Sequence, residues 1–505
     1  MNFRAWSIDL AREQSPSRDW LMSLVDRSIN AGYNAMALYL EHRFDYASAP
    51  WAAAPGALTP ETARALSAHG REVGVRVIPF LNTLGHVEGF LRAEGGQRLA
   101  EGPRQFSQQL CPSHPDALPF ATGLIDDACA AFNDEWLHLG GDETEQLGQC
   151  PKCATRTPEA LYGDHFAALC AHVIQEGRRP CLWADMALRH PAILERIPRE
   201  TVLFNWQYED DPAETTTRLR AAGFDVVCCP AIHTFDASWL FLNKTRRNVD
   251  EHVAAARDAD ALGVCVTTWE LTFFSQYHSI LPIIFAAGRR LNGAEWDAAI
   301  RAEGGADYAS YATILGERIP AAAAFLAEGT WRKLRDCLVM KLDPFALWRE
   351  WRREACGPAG DEILRLCDAA EPLAGENPAL RFPIALHRAA VDFVRHIERA
   401  AAAYSVADYL TCLDGIQSSR SALNALLGPL TALAEMGGSR ADPARLRVLT
   451  GKCDEVVRSL ERVASADAKA YRPAFEWLTD AHWTENDQGG WLAAHPLLRA
   501  EIKDR

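Results

Sequence analysis

The sequence predicts a (β/α)8 TIM barrel followed by an all-helical domain, and three observations lead there. Over roughly the first 290 residues, short apolar runs alternate with segments of helical periodicity, eight strand-like runs in all. No glycine-rich dinucleotide loop follows the first strand, which disfavours a doubly wound open sheet. After Asn292 the composition shifts to Ala-, Leu- and Arg-rich stretches with helical spacing. The expected division is a barrel over 1–295 and a helical domain over 296–505.

The elements follow in order. A strand over 3–10 precedes a helix over 17–32, and a second strand covers 34–40. Thr59-Pro60-Glu61 opens the next helix with a side-chain cap and a proline at its first position. The third strand spans 75–84 and ends on Gly85-His86. A helix over 115–133 leads to the fourth strand, 135–140. Helix 158–176 precedes strand five (180–186), with strand six over 201–208 and helix 213–223 behind it. Strand seven covers 225–229, a helix 249–259, and strand eight 263–269. The segment 277–291 closes the set. Further on, 330–356, 383–410 and 443–463 read as helices, and Trp331, Trp348 and Trp477 as core residues of the helical domain.

Size and charge narrow the function classes. A chain of 505 residues with 48% hydrophobic and 24% charged residues has the composition of an ordinary soluble protein. A formal net charge of −15 argues against nucleic acid or an acidic membrane surface as partner. No run approaches the roughly 18 apolar residues of a membrane span. The first residues lead directly into a strand with no secretion signal, and the 14 cysteines lack framework spacing, so reduced thiols in a cytoplasm are expected. Cys150-Pro151-Lys152-Cys153 is the one close cysteine pair. As half a zinc site it needs two further ligands, for which Cys111 and His114 are the candidates. A single CxxC in a loop is a weak signal, and unligated thiols, with no metal and no cofactor, are the reading.

The chemistry centres on Glu135-Trp136-Leu137-His138-Leu139-Gly140-Gly141-Asp142-Glu143-Thr144: a short apolar strand, two glycines, then adjacent acids. Like charges a few ångströms apart raise at least one pKa; taken alone, the pair reads first as a solvated acidic turn, with a site at a strand end as the alternative. Strand neighbours point to opposite sides, so Asp142 and Glu143 are expected to splay apart and serve two tasks. Barrel chemistry gathers where strands end. That rim would carry the run from Glu41 to Tyr46, His86, Asp142, Glu143, Trp183, Asp185, Trp206, Tyr208, His233, Asp236, Trp269 and Glu270. Barrel interiors favour branched aliphatics, so three tryptophans at three strand ends point to a pocket with flat apolar walls, as sugars require.

The His-x-Gly-Gly-Asp-Glu context resembles the active-site signature of family 20 glycoside hydrolases, the β-N-acetylhexosaminidases. The run from Arg4 to Arg12 is similar to that family's first-strand motif, Gly85-His86 to its Gly-His, and Leu110-Cys111-Pro112 to its Leu-Cys-Pro. The run from Glu41 to Tyr46, together with the segment from Leu110 to His114, resembles the intracellular hexosaminidase D and GcnA-like branch. The resemblance covers about the first 280 residues.

It implies exo-hydrolysis of terminal β-linked N-acetylglucosamine or N-acetylgalactosamine with retention, the substrate's acetamido group acting as nucleophile. By resemblance Glu143 is the general acid, and Asp142 steers the acetamide and stabilises the charged intermediate. Trp183, Trp206 and Trp269 wall the acetamide methyl. The family's tyrosine after strand seven is absent, since Thr234-Phe235-Asp236 stands there, and Tyr208 takes its role. The Trp-x-Glu after strand eight is also broken, leaving Glu270 and Asp236 both candidates for the distal hydroxyls. Arg4 is either a sugar ligand or a structural ion pair. His86 and His138 either orient the carboxylates or are satisfied core histidines. The partner expected is a small carbohydrate, with a homodimer open. Alternatives are a non-catalytic amino-sugar-binding barrel and a substrate-assisted glycosidase acting on sugar-modified proteins; the latter typically carries paired aspartates.

Overall fold

The computed structural model describes residues 1–12, 15–102, 107–269, 277–330, 333–436, 441–467 and 469–484. Its first compact unit comprises Met1–Ile232, Lys244–Glu270 and Leu281–Glu303; its second comprises His233–Asn243, Leu271–Ile280 and Gly304–Arg505. Relative to a single cut at 295/296, residues 296–303 group with the first unit, and His233–Asn243 and Leu271–Ile280 with the second.

Among the described residues, nine parallel strands form the first unit's sheet: β1 (Phe3–Asp9), β2 (Ala35–Tyr39), β3 (Arg76–Phe80), β4 (Trp136–His138), β5 (Arg179–Trp183), β6 (Val202–Trp206), β7 (Asp225–Cys229), β8 (Ala231–Ile232) and β9 (Gly263–Thr268). Pairing runs in chain order from β1 to β7, then to β9, and β9 returns to β1 in register Phe3↔Gly263 to Trp6↔Val266. The sheet is therefore a closed eight-membered barrel, as expected. β8 is a two-residue extension beyond Pro230, which has no N–H for the ladder but accepts from Thr267 N–H at 2.7 Å.

Helices start where the side chains can cap them. Thr59 before Pro60 accepts from Thr62 N–H, and Thr157 before Pro158 accepts from Ala160 N–H, so two helices begin on the same chemical device.

The barrel interior shows period-two alternation: Phe3 and Ala5 on β1, Ala35, Ala37 and Tyr39 on β2, Ile78 and Phe80 on β3, Cys181 and Trp183 on β5, Val202 and Phe204 on β6. Aromatics, not branched aliphatics, fill it. Alanine and cysteine at neighbouring inner positions leave the room these rings need. Phe204 lies at the middle, with ring centroids 5.4 Å from Phe80, 4.8 Å from His138, 5.9 Å from Trp183 and 6.2 Å from Trp136. On the outer face Trp6 is fully buried and donates its indole N–H to Ser28 Oγ at 2.8 Å.

Several strands are shorter than their apolar runs. β3 stops at Phe80 rather than 84, β4 at His138 rather than 140, and β5 at Trp183, followed by a helical turn, Asp185–Arg189. Apolar character persists because these residues remain buried, while the ladder has ended.

In the second unit, helices Pro344–Ala355, Pro358–Ala374, Pro378–Ser405, Tyr409–Asn424 and Asp442–Ala464 form a core that includes Trp348, whose indole donates to Glu398 at 2.6 Å. Trp477, expected in the core, is 59% exposed. Its helix, Phe475–Thr484, instead turns Phe475 and Leu478 inward. Trp331 lies outside the described residues. Among the described residues no helix is long and apolar enough to cross a membrane.

Phe204→Ala would empty the centre of the inner aromatic layer. The expected cost is about 3–5 kcal/mol of barrel stability, read as a lower denaturant midpoint with the far-ultraviolet dichroism at zero denaturant preserved.

Candidate active site

The site is built at the break in β4. After His138 the backbone leaves the ladder through Gly140 (φ 77°) and Gly141 (φ 96°). A Cβ at Gly141 would lie 2.6 Å from Tyr162 Oη, so neither the conformation nor the space admits a larger residue. Glu143 itself adopts φ 48°, an uncommon conformation for a non-glycine residue. The Asp185 carboxylate holds it there by accepting Glu143 N–H at 3.0 Å. From the other side the β3 loop approaches so closely that a Cβ on Gly85 would meet the Asp142 carbonyl at 2.4 Å.

That backbone path overturns the expected splay of the acids. His86 Nε2 lies 3.1 Å from Glu143 Oε2 and 3.5 Å from Asp142 Oδ2, so both carboxylates address one imidazole. Strand alternation does not apply, because Asp142 and Glu143 lie beyond the last β4 residue and two left-handed glycines intervene. The division of labour survives in burial instead. The Asp142 side chain is 10% exposed and the Glu143 side chain 53%. Asp142 Oδ1 is buried without a hydrogen-bond partner.

Charge at this lip is crowded. Burial is the main cause raising the Asp142 carboxyl above its ordinary value, with His86 opposing and Glu143 adding. Burial and then the Asp142 charge push the Asp185 carboxyl up to about 7. Burial works against the charged form of His86, but Asp142, Glu143 and Glu88 outweigh it and hold the imidazolium well above the usual histidine range. His86 Nδ1 is 3.6 Å from Glu88 Oε1.

The remaining expected residues divide. Trp206 and Trp269 are half-buried at the strand ends, and Trp269 donates its indole N–H to Tyr208 Oη at 2.6 Å. Tyr208 Oη also lies 3.2 Å from Thr267 Oγ1, and its ring is 5.1 Å from that of Trp206. Trp183 is 1% exposed, packed on Phe80, Phe204 and His138 inside the barrel, with its indole N–H unpartnered. Its ring lies 5.9 Å from that of Trp269 at the rim, and its backbone N–H donates to the Gly140 carbonyl at 3.1 Å. His138 is fully buried, stacked on Phe80 at 4.3 Å, and its Nδ1 accepts Gly140 N–H at 3.0 Å. Burial lowers its pKa well below the ordinary value. It acts as a neutral core histidine that fixes the glycine turn rather than the carboxylates.

Arg4 takes neither expected role. Its guanidinium donates to the carbonyls of Gly32 (2.9 Å) and Met1 (2.8 Å), at the barrel end where β1 begins, away from the strand ends. The rim guanidinium is that of Arg12, the last arginine of the same motif. It is 3.1 Å from Asp9 Oδ2 and lies over the rings of Tyr39 (5.3 Å) and Trp269 (5.7 Å). Asp9 three residues before Arg12, just past a strand, was a legible signal. Asp236 belongs to the second unit, 7% exposed, on a segment anchored there by Ser238 Oγ to His387 Nε2 at 2.8 Å. Glu270 lies outside the described residues. Asp185 was legible as a rim residue; its grip on the Glu143 amide was not.

The first unit is thus a closed parallel barrel with a carboxylate cluster at its C-terminal lip. Residues 34–271 match the model of the glycosyl hydrolase family 20 catalytic domain. A probable beta-hexosaminidase of Arthroderma benhamiae is 26% identical over 197 residues, covering 34% of this chain and 31% of that protein. Hexosaminidase D of Bos taurus is 25% identical over 247 residues, covering 41% of this chain and 67% of that protein. The chain thus spans 31% of the length of the fungal relative. Among solved structures, that of a beta-N-acetylhexosaminidase superposes with a TM-score of 0.50 at 16% identity, over 60% of this chain and 74% of that one, a likeness of fold.

Because Asp185 is raised from 3.8 to about 7, the folded state holds a proton across that interval which the unfolded chain has released. Stability is therefore lost as pH rises through this window. Asp185→Asn keeps an acceptor for Glu143 N–H and removes the titration, so its melting temperature is expected to depend less on pH between 4 and 7 in a series of thermal melts.

Proposed function

We propose that this barrel is an exo-acting β-N-acetylhexosaminidase, removing terminal β-linked N-acetylglucosamine or N-acetylgalactosamine with retention. One observation carries the reading: two adjacent carboxylates share the His86 imidazole, one buried and one open to solvent. A general acid must reach the leaving oxygen, which suits exposed Glu143. A carboxylate that steers the substrate's acetamide and faces developing positive charge acts most strongly where water is excluded, which suits buried Asp142. The nucleophile arrives with the sugar, so positioning replaces a protein nucleophile. This substrate-assisted route is consistent with the family whose model residues 34–271 match.

In this reading His86 holds the two acids in mutual register, and Asp185 fixes the Glu143 backbone. Trp206, Trp269 and Trp183 form the aromatic side of the site, Trp183 from beneath. Tyr208 holds the acetamide carbonyl, its hydroxyl set beside Trp269. Arg12, between Asp9, Tyr39 and Trp269, takes the sugar-facing guanidinium role in place of Arg4. Glu270 is proposed for the distal hydroxyls. The free thiols support a reducing, cytoplasmic compartment.

Aryl N-acetyl-β-glucosaminide and its galactosaminide counterpart are expected to be cleaved, and the analogues with a free amine not. Glu143→Gln should lower kcat by about 10²–10⁴-fold, least for the best leaving groups. Asp142→Asn should be impaired on the same substrates, and wild-type turnover from it contradicts its role. Saturable binding of the N-acetylated sugars with no aglycone release would instead identify an amino-sugar-binding barrel.

A further inference from the structure

Away from the acids, the loop after β3 and the loop after β4 bring together four potential metal ligands. Cys150 and Cys153 come from the second loop, and Glu101 and Cys111 from the first. One donor atom of each lies within 4.8 Å of all the others. Cys111 Sγ is 3.5 Å from Cys150 Sγ and 3.6 Å from Cys153 Sγ. Sulfurs ~2.3 Å from a tetrahedral zinc ion stand on the order of 3.8 Å apart, close to this spacing. We propose that Glu101, Cys111, Cys150 and Cys153 form a structural zinc site that ties these two loops together.

Glu101 supplies the independent indication. The residue is fully buried; one carboxylate oxygen accepts Cys150 N–H at 2.9 Å, while the other, Oε2, is buried with no partner. A buried carboxylate oxygen left bare beside three sulfurs is costly unless a cation meets it. One backbone donor suits a thiolate: Cys153 N–H points at Cys150 Sγ at 3.3 Å, while the Cys153 thiol donates to Ser113 Oγ at 3.1 Å, a hydroxyl free to rotate and donate to a bound thiolate instead. Leu161 and Leu147 pack against the cysteines and shield them. Thiolate ligands favour zinc over magnesium, calcium or manganese, and all four positions are filled by protein, so the site is closed and structural. His114 is not among the ligands: its Nδ1 accepts Asp116 N–H at 3.2 Å, and the fully buried Glu101 stands where the sequence suggested a histidine. Binding exchanges up to three thiol protons for one divalent ion.

The tie has a consequence for the lip. The same two loops exchange Gln146 N–H to Gln109 Oε1 (3.1 Å) and Gln108 N–H to Gln146 Oε1 (3.1 Å), and they carry His86 and Glu143 at their starts. Zinc would thus hold the backbone that follows Glu143. The proposal does not depend on the sugar chemistry, because its readout is metal.

Full-length protein purified without chelators or immobilised-metal resin is expected to contain about one zinc per chain by plasma mass spectrometry. Cobalt added to the chelator-stripped, reduced chain should give the thiolate-to-cobalt charge-transfer and visible bands of a tetrahedral site. Cys150→Ser and Cys111→Ser should lose the metal, Glu101→Gln should weaken binding about 10-fold or more, and Cys356→Ser, at an exposed cysteine, should retain it. Where a ligand variant fails to fold, wild-type zinc content and the cobalt spectrum still decide. Absence of zinc from the purified chain together with no cobalt bands in the reduced one overturns the proposal. So does a disulfide between Cys111 and Cys150 or Cys153 in metal-free protein that zinc with reductant does not displace.

Discussion

Three carboxylates, Asp142, Glu143 and Asp185, gather around one backbone turn and one imidazole, and the rest of the barrel lip is arranged to tolerate that charge. Their mutual repulsion in a poorly solvated place would drive the turn apart if each acid were bare. Three arrangements prevent it. His86 stays cationic between Asp142, Glu143 and Glu88. Asp185 engages the Glu143 amide and retains its proton up to about pH 7. Arg12 stands just past the end of β1, paired with Asp9, and its charge favours the ionised Asp142. The proposed reaction, which needs one acid protonated and one ionised, would be served by such an imbalance of surroundings.

Beneath this layer the barrel contributes rigidity. Phe80, Trp136, Trp183 and Phe204 fill the interior with rings in tilted and edge contacts, and His138 joins them as a neutral ring. His138 then reaches upward through Nδ1 to the Gly140 amide. The packed interior is thereby connected to the turn that carries the acids, so the geometry at the lip is inherited from the core. The loops after β3 and β4 complete the support from outside, crossing one another through Gln109 and Gln146.

Much of this was legible as pattern. Eight apolar runs separated by helical stretches specify a closed parallel barrel, because each run must be covered on both faces and consecutive strands lie adjacent. The acid pair stood out because glycines and adjacent carboxylates are a poor way to continue a strand. Pattern was weaker where an apolar run outlasted its ladder. Leu139 and Leu84 look like strand but are buried loop, and the alternation rule applied across Gly140 and Gly141 wrongly predicted diverging acids. The tryptophans misled differently. Trp183 reads as a rim residue but is 1% exposed and packs on Phe80, Phe204 and His138 inside the barrel, so it can meet the site only from beneath.

The sequence by itself determined the barrel, its order of strands and the identity of the paired acids, since periodicity and local chemistry act over a few residues. Tertiary structure alone decided that both acids turn to His86, that Arg12 rather than Arg4 reaches the lip, and that Glu101 completes a cluster with three cysteines. Each of these joins residues on separate strands or loops. Their proximity follows from how far each strand runs before its ladder ends, a quantity set by packing across the whole barrel and written in no single stretch of the chain.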